Sequence, residues 1–542
     1  MTSNFSRRTL LRASALTVLG GSLSTLEPSS LRAETDQPVD ADLLLQGGTL
    51  YDGSGSEGLV GDVAIAGERI VAVGRFETGR VGRTIDCRGL IVAPGFIDLH
   101  SHSDHQILKP ELRGNPCRLM DGCTTVVTGN CGVGQLDVAK FHAQLDENGA
   151  GTNIVHLMPH GRVRGAVMGT VDRRPTPDEL DRMRRMIDEG MQAGAWGMST
   201  GLIYLPGVYA DTDELVELTK VVARHGGIYA SHIRGEEDQL LTAVAEAIEI
   251  GRRAGAPVHI SHFKANGLPN WGKIRDAAAL IEKARADGQK VTADQYPYDA
   301  CSTWILPILL PVDETPGGYE NLLERMKADP ELDQTVRNVI RRQLGRTRNV
   351  LIAQCEIETY RNRMIADIAS AENRDQVEVV IDLIAAGKTR GINFSMSEDD
   401  VRYGMSLPWV GMGSDGEGVL AAPNGQGHPR AMGTFARKIG RYAIEERVIS
   451  LAHAIRSASG LAADIMGLDD RGYLRPGYLA DITVFDPATY RDQATYDNPL
   501  VYSTGVRHVL LAGNLALAEG TLNERLFGRA LLRPTKRMGG GQ

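Results

Sequence analysis

Between residues 94 and 471, short apolar runs alternate with stretches of helical periodicity, and few folds tolerate that alternation. The runs are Phe96 to His102, Thr124 to Asn130, Asn153 to Met158, Gly197 to Gly201, Gly227 to His232, Pro257 to His262, Lys290 to Gln295 and Trp409 to Asp415. Strands alternating with helices build a parallel sheet, and eight such units close a (β/α)8 barrel. Helix starts fall where they should, at Thr176-Pro177-Asp178-Glu179 before Leu180 and at Thr212-Asp213-Glu214 before Leu215.

Outside this region the texture changes. Residues 41–93 read as short strands separated by turns, as in Asp42 to Gly48 and Val63 to Ile70, and the same texture returns over residues 472–530. The two ends are expected to pair into one small β-sandwich domain, split in sequence by the barrel. Residues 306–390, between the seventh and eighth strands, form a long polar and helical insertion. It reads as a lid over the barrel mouth, or alternatively as surface decoration away from it.

Potential metal ligands recur at the ends of the strands. His100 and His102 form a His-x-His, and in extended chain residues i and i+2 face the same way. Tyr229-Ala230-Ser231-His232 and Val258-His259-Ile260-Ser261-His262 each end in Ser-His. Val410 to Asp415 ends in a carboxylate, and Cys131 follows the second strand. Imidazole, thiolate and carboxylate are the donors Zn2+ accepts, and three protein ligands with an open position make a catalytic site. His259, three residues before His262, is expected to point away. His156 and His160 flank the end of the third strand, and His160 could reach the pocket. His105, His142, His225, His453 and His508 read as surface or structural, and Cys117, Cys123, Cys301 and Cys355 as packed thiols; the six cysteines, at 87, 117, 123, 131, 301 and 355, show no CxxC spacing and do not read as a disulfide framework.

A net charge of −9 with no basic block beyond the N-terminus gives no footprint for nucleic acid. Residues 1–33 read as a signal peptide: Arg7-Arg8 precede a mildly apolar stretch, Ala13 to Leu26, too short for a permanent membrane anchor. The paired arginines favour the twin-arginine route, an ordinary basic leader being the alternative, and predict a periplasmic or secreted protein. Oligomeric state is not legible.

The combined pattern resembles the amidohydrolase superfamily and, within it, the D-aminoacylase (N-acyl-D-amino-acid deacylase) family, over nearly all of the chain after residue 33. The wider superfamily often carries a carboxylated lysine on the fourth strand. Here that strand ends Met198-Ser199-Thr200-Gly201, and no lysine lies between Lys140 and Lys220. The D-aminoacylase family uses a cysteine after strand two instead, and Val126-Val127-Thr128-Gly129-Asn130-Cys131-Gly132 is similar to that motif. Ser231-His232-Ile233-Arg234, Ser261-His262-Phe263-Lys264, Gln295-Tyr296-Pro297-Tyr298, Gly413-Ser414-Asp415-Gly416 and His428-Pro429-Arg430-Ala431 match as well. The resemblance implies a tight zinc on Cys131, His232 and His262, and a weaker second position outlined by His100, His102 and Asp415.

Asp415 is then the expected general base and acid. A small-molecule substrate that releases an amino acid carries an α-carboxylate, and Lys264, Arg430 and the Tyr296 hydroxyl, after strands six, eight and seven, are placed to hold it. Tyr204, after strand four, is a further candidate contact. The expected reaction is hydrolysis of N-acyl-D-amino acids. Alternatives are a dipeptidase acting before a C-terminal D-residue, a cyclic-amide hydrolase, and a catalytically silent binding protein on the same barrel.

Overall fold

The computed structural model describes residues 37–534, so the expected leader lies outside the described residues. Eight parallel strands form the barrel: β1 (Phe96–Asp98), β2 (Cys123–Thr128), β3 (Asn153–His156, resumed at Met158–Pro159), β4 (Gly197–Gly201), β5 (Ile228–His232), β6 (Val258–Ile260), β7 (Val291–Gln295) and β8 (Val410–Met412). Register runs Met198 to Tyr229, Tyr229 to Val258, Val258 to Val291 and Ala293 to Val410. The ring closes where Leu99 N–H donates to Met412 O at 2.9 Å.

Helices α1 (His160–Met168) and α2 (Pro177–Gln192) both follow β3, and α3 (Thr212–Arg224), α4 (Leu240–Ala254) and α5 (Ile274–Ala286) follow β4, β5 and β6. Thr176 and Glu179 form a reciprocal capping box at the start of α2. At α3 the cap is Asp211, one residue ahead of the expected Thr212, because its carboxylate accepts from Glu214 N–H. Met183 and Ile187 of α2, Leu215 and Val222 of α3, Val244 of α4 and Ile281 of α5 are buried against Met198, Val258 and Val291 of the strands. Among the described residues no helix is long and apolar enough to cross a membrane.

The two ends of the chain meet in one sheet. Ile482 pairs with Pro94 and Val484 with Val92, antiparallel, joining Val39–Pro94 to Ile482–Phe485 and Val506–Leu522. Leu43, Leu45, Val63, Ile65, Ile482 and Val484 alternate into its buried face. The insertion carries more than the helices its composition announces: Cys301–Trp304, Arg390–Asn393 and Val350–Gln354 form an antiparallel sheet that frames them. Val336, Ile340, Val350, Ile352 and Leu383 make a separate core inside it.

Candidate metal centre

At the C-terminal mouth of the barrel, five strand ends deliver side chains to one region. β1 stops at Asp98, so His100 and His102 lie just past the strand. His102 Nε2 is 3.1 Å and His100 Nε2 is 3.5 Å from Asp415 Oδ1. Cys131 Sγ stands 3.3 Å from His100 Nε2 and 3.6 Å from both His232 Nδ1 and His262 Nε2. A tetrahedral zinc with sulfur at about 2.3 Å and nitrogen at about 2.0–2.1 Å separates those donors by about 3.6 Å, so the residues fit the ion. His100, Cys131 and His262 make one close triad and His100, His102 and Asp415 a second that shares His100, while His232 is grouped with Glu236 and His262.

Holding the donors requires unusual backbone. Cys131, His262 and Asp415 adopt φ of 53°, 36° and 49°, a left-handed region that non-glycine residues enter at a cost of about 1–3 kcal/mol each. Neighbours over-determine these turns. Asp294 Oδ1 accepts from His262 N–H at 2.8 Å, and His100 O accepts from Asp415 N–H at 2.6 Å. Asp294 Oδ2 receives His259 Nε2 at 2.9 Å and faces His100 Nδ1 at 3.3 Å. His259 therefore points away from the metal ligands, and reaches them only through Asp294. Asp98 ties β1 to β8, accepting from His100 N–H, Ser414 N–H and Ser414 Oγ and pairing with buried Arg118 at 3.0 Å.

Charge is arranged to keep the donors anionic. Burial opposes a thiolate at Cys131, but His100, His102 and His232 outweigh it and hold the thiol well below its usual range. At Asp415 burial is likewise overcome, here by the Arg430 guanidinium 2.7 Å away and by His102.

The chain matches the model of the Amidohydrolase family over residues 83–328 and 326–516. It is 35% identical to the D-aminoacylase of Alcaligenes xylosoxydans xylosoxydans over 520 residues, 92% of this chain and 98% of that one. The chain belongs to the D-aminoacylase family of amidohydrolases. A solved D-aminoacylase, studied for its binuclear metal centre, superposes with a TM-score of 0.78 at 30% identity, covering 91% of this chain and all of the other. The N-acyl-D-glutamate deacylase of Bordetella bronchiseptica, solved with zinc and a phosphonate mimic of the tetrahedral intermediate, gives 0.77 at 31%, covering 92% of this chain and all of that one.

Within this family frame, Tyr204, Lys264 and Tyr296 line a cavity of about 600 Å³ between the cluster and the insertion, while Arg430 lines a smaller depression of about 280 Å³ that meets it at Asp415. Lys264 lies on its wall, but not as a free cation: its Nζ is 2.5 Å from Glu236 Oε1 and 2.8 Å from His262 Nδ1. Arg430 is paired with Asp415 and donates to Ser302 O at 3.0 Å, and its guanidinium lies over the Tyr296 ring. The Tyr296 hydroxyl is buried with no partner among the described residues. Tyr204 packs edge-on against His232, with centroids 5.0 Å apart, and its hydroxyl meets Thr303 of the insertion at 3.0 Å. His160 takes no part: it is buried on Glu214 at 2.9 Å, beside Arg164.

Three contributors escape sequence reasoning. Glu236 lies 2.8 Å from His262 Nδ1, which turns His262 Nε2 toward the cluster. In sequence it opens Glu236-Glu237-Asp238, which reads as a solvated acidic run. Asp294 is fully buried in an otherwise ordinary strand, and a carboxylate among inward barrel positions is the signal that could have found it. Cys301, expected to pack inertly, lies on the cavity wall, where burial pushes its thiol up to about 11.

Proposed function

We propose that this protein is a zinc-dependent N-acyl-D-amino-acid deacylase, releasing a carboxylic acid and a free D-amino acid. The observation that carries this is the approach of His232 Nδ1 and His262 Nε2 to Cys131 Sγ, each at 3.6 Å, with Asp415 3.5 Å from His100 and a Tyr296 hydroxyl, unpartnered among the described residues, on a residue that lines the adjoining cavity. Cys131, His232 and His262 would hold the tight ion, while His100, His102 and Asp415 outline a weaker position. Zinc, when bound, supplies Lewis acidity toward the amide carbonyl and lowers the pKa of water.

The chain's own groups do the rest. Asp415, anionic and oriented by Arg430, takes the proton of the attacking water and returns it to the leaving nitrogen. Tyr296 Oη and Lys264 border the cavity where the α-carboxylate is to sit, and Arg430, over the Tyr296 ring, lines the neighbouring depression. Tyr296 has a hydroxyl hydrogen that no other described residue claims, and the cations are pre-oriented by Asp415 and Glu236. Fixing carboxylate and carbonyl together leaves the α-substituent one direction, toward the insertion, which selects D over L. The test is kcat/KM of the zinc-loaded enzyme on N-acetyl-D-amino acids, their L-enantiomers and L-Ala-D-Xaa dipeptides. Preference for the acetyl-D series is expected; activity confined to the dipeptides would move the site to the dipeptidase reading.

Arg7-Arg8 before a weakly apolar stretch supports export by the twin-arginine route to the periplasm. Changing both arginines to lysine should strand the precursor in the cytoplasm, and unchanged export would refute the route.

A further inference from the structure

Three depressions reach the cluster, and their chemistry differs. The 600 Å³ cavity beneath the insertion holds Lys264 and Tyr296 and suits the amino-acid half of the substrate. A smaller one, of about 280 Å³, is lined by Arg390, Glu417, Gln426 and Arg430 and is polar throughout much of its wall. The third, of about 410 Å³, runs between the loop after β2, helix α1 and the turn after β4.

This third groove begins at the metal centre. Cys131 and Gly201 contribute to its inner end, and Tyr204 borders both it and the large cavity. Its side-chain lining is mostly apolar, from Val133, Leu136, Ala166, Leu205 and Pro206, and the rest is largely glycine backbone. Val133 is 44% and Leu205 39% exposed, so apolar surface is left facing water along its length. Its one charged lining residue, Arg162, is exposed. Midway, Gly165 of α1 leaves the groove open, because a Cβ there would meet only Pro206 Cγ, at 3.8 Å. An amide held by its carbonyl at the cluster, with its α-carboxylate and α-substituent on the side of the insertion, leaves its acyl chain to be housed elsewhere.

We propose that this groove is the acyl subsite and that the enzyme favours N-acyl-D-amino acids with medium to long aliphatic chains over N-acetyl ones. The proposal rests on the deacylase reading and names its substrate class. Its occupant is the substrate's own alkyl chain, since Cys131 stands at its inner end and Val133, Leu136, Ala166, Leu205 and Pro206 offer apolar contact along it.

The experiment is a chain-length series, acetyl, butanoyl, hexanoyl, octanoyl and decanoyl, on one D-amino acid, with zinc-loaded wild type and Gly165→Leu. Leucine is the better helix former and projects toward Pro206, so the variant should fold while blocking the groove. Burial of each methylene is expected to raise wild-type kcat/KM about two- to fourfold until the groove is filled. Gly165→Leu should keep wild-type activity on the acetyl substrate and lose the rise. A flat or falling wild-type series, or a rise that survives in Gly165→Leu, would overturn the subsite. Calorimetric titration of octanoate separates this from the underlying reading. No turnover on any member, with octanoate bound by wild type and not by the variant, would retire the deacylase and keep the groove; no binding by wild type would overturn the groove itself.

Discussion

At the residue scale, Asp415 carries the sharpest expectation. Its two oxygens are divided, one toward His102 and His100 and the other toward Arg430. Asp415→Asn preserves that shape and removes the base. Loss of general acid–base work costs about 10²- to 10⁴-fold, so kcat should fall by that factor while one zinc per chain remains by elemental analysis. A variant that loses the tight zinc as well would make Asp415 a structural ligand instead. Outside the cluster, Lys438 is buried with no hydrogen-bond partner among the described residues, and burial lowers its pKa to about 7. Its folded value lies below the unfolded one, so the unfolded chain binds more protons between about pH 7 and 10.5, and stability falls as pH drops through that window. Lys438→Met should therefore stabilise the protein at pH 7 by about 2–5 kcal/mol and by less at pH 9.5, read from urea midpoints. Equal midpoints for wild type and variant at pH 7 would show that the lysine finds solvent or a partner.

At the scale of elements, the barrel depends on how β1 meets β8. Both strands are only three residues long, and the few backbone bonds past their ends are supplemented by the Asp98 carboxylate, which binds Ser414 and is paired with Arg118. Arg118 in turn donates to Ala431 O, which fastens the segment that carries Arg430. Arg118→Met leaves a buried carboxylate unpaired, and a loss of about 3–5 kcal/mol in chemical unfolding is expected. A loss below about 1 kcal/mol would mean that the Ser414 bonds alone hold the junction. These short strands were legible because each is an apolar run between helical patterns. The strands of the insertion were not. Val350–Gln354 and Arg390–Asn393 are four or five residues each, set among charged helices, and they pair across about 40 residues, which local pattern does not reveal. The ligands were legible for the same reason as the barrel, since they terminate its strands. Glu236 and Asp294 were not, because a side chain that orients a ligand has no spacing rule of its own.

At the scale of the molecule, metal and stability are coupled unevenly. The six candidate ligands come from the ends of β1, β2, β5, β6 and β8, and none from the sandwich or the insertion, which have their own cores. An ion therefore cross-links barrel strands that are distant in sequence and leaves the other two units untouched. A ligand bound only by the folded state adds about 4 kcal/mol at a thousandfold excess over Kd. Chelation should lower the barrel's unfolding temperature by several degrees. In hydrogen exchange it should deprotect residues 98–102, 129–133, 230–236, 260–265 and 413–417, while 336–352 and 482–511 keep their protection. The left-handed backbone at Cys131, His262 and Asp415 makes those loops the first to relax, since their strain is held down by the very contacts the metal organises. If chelation loosened the insertion's core before these loops, the ion would be acting through closure of the insertion over the mouth and not through the barrel strands.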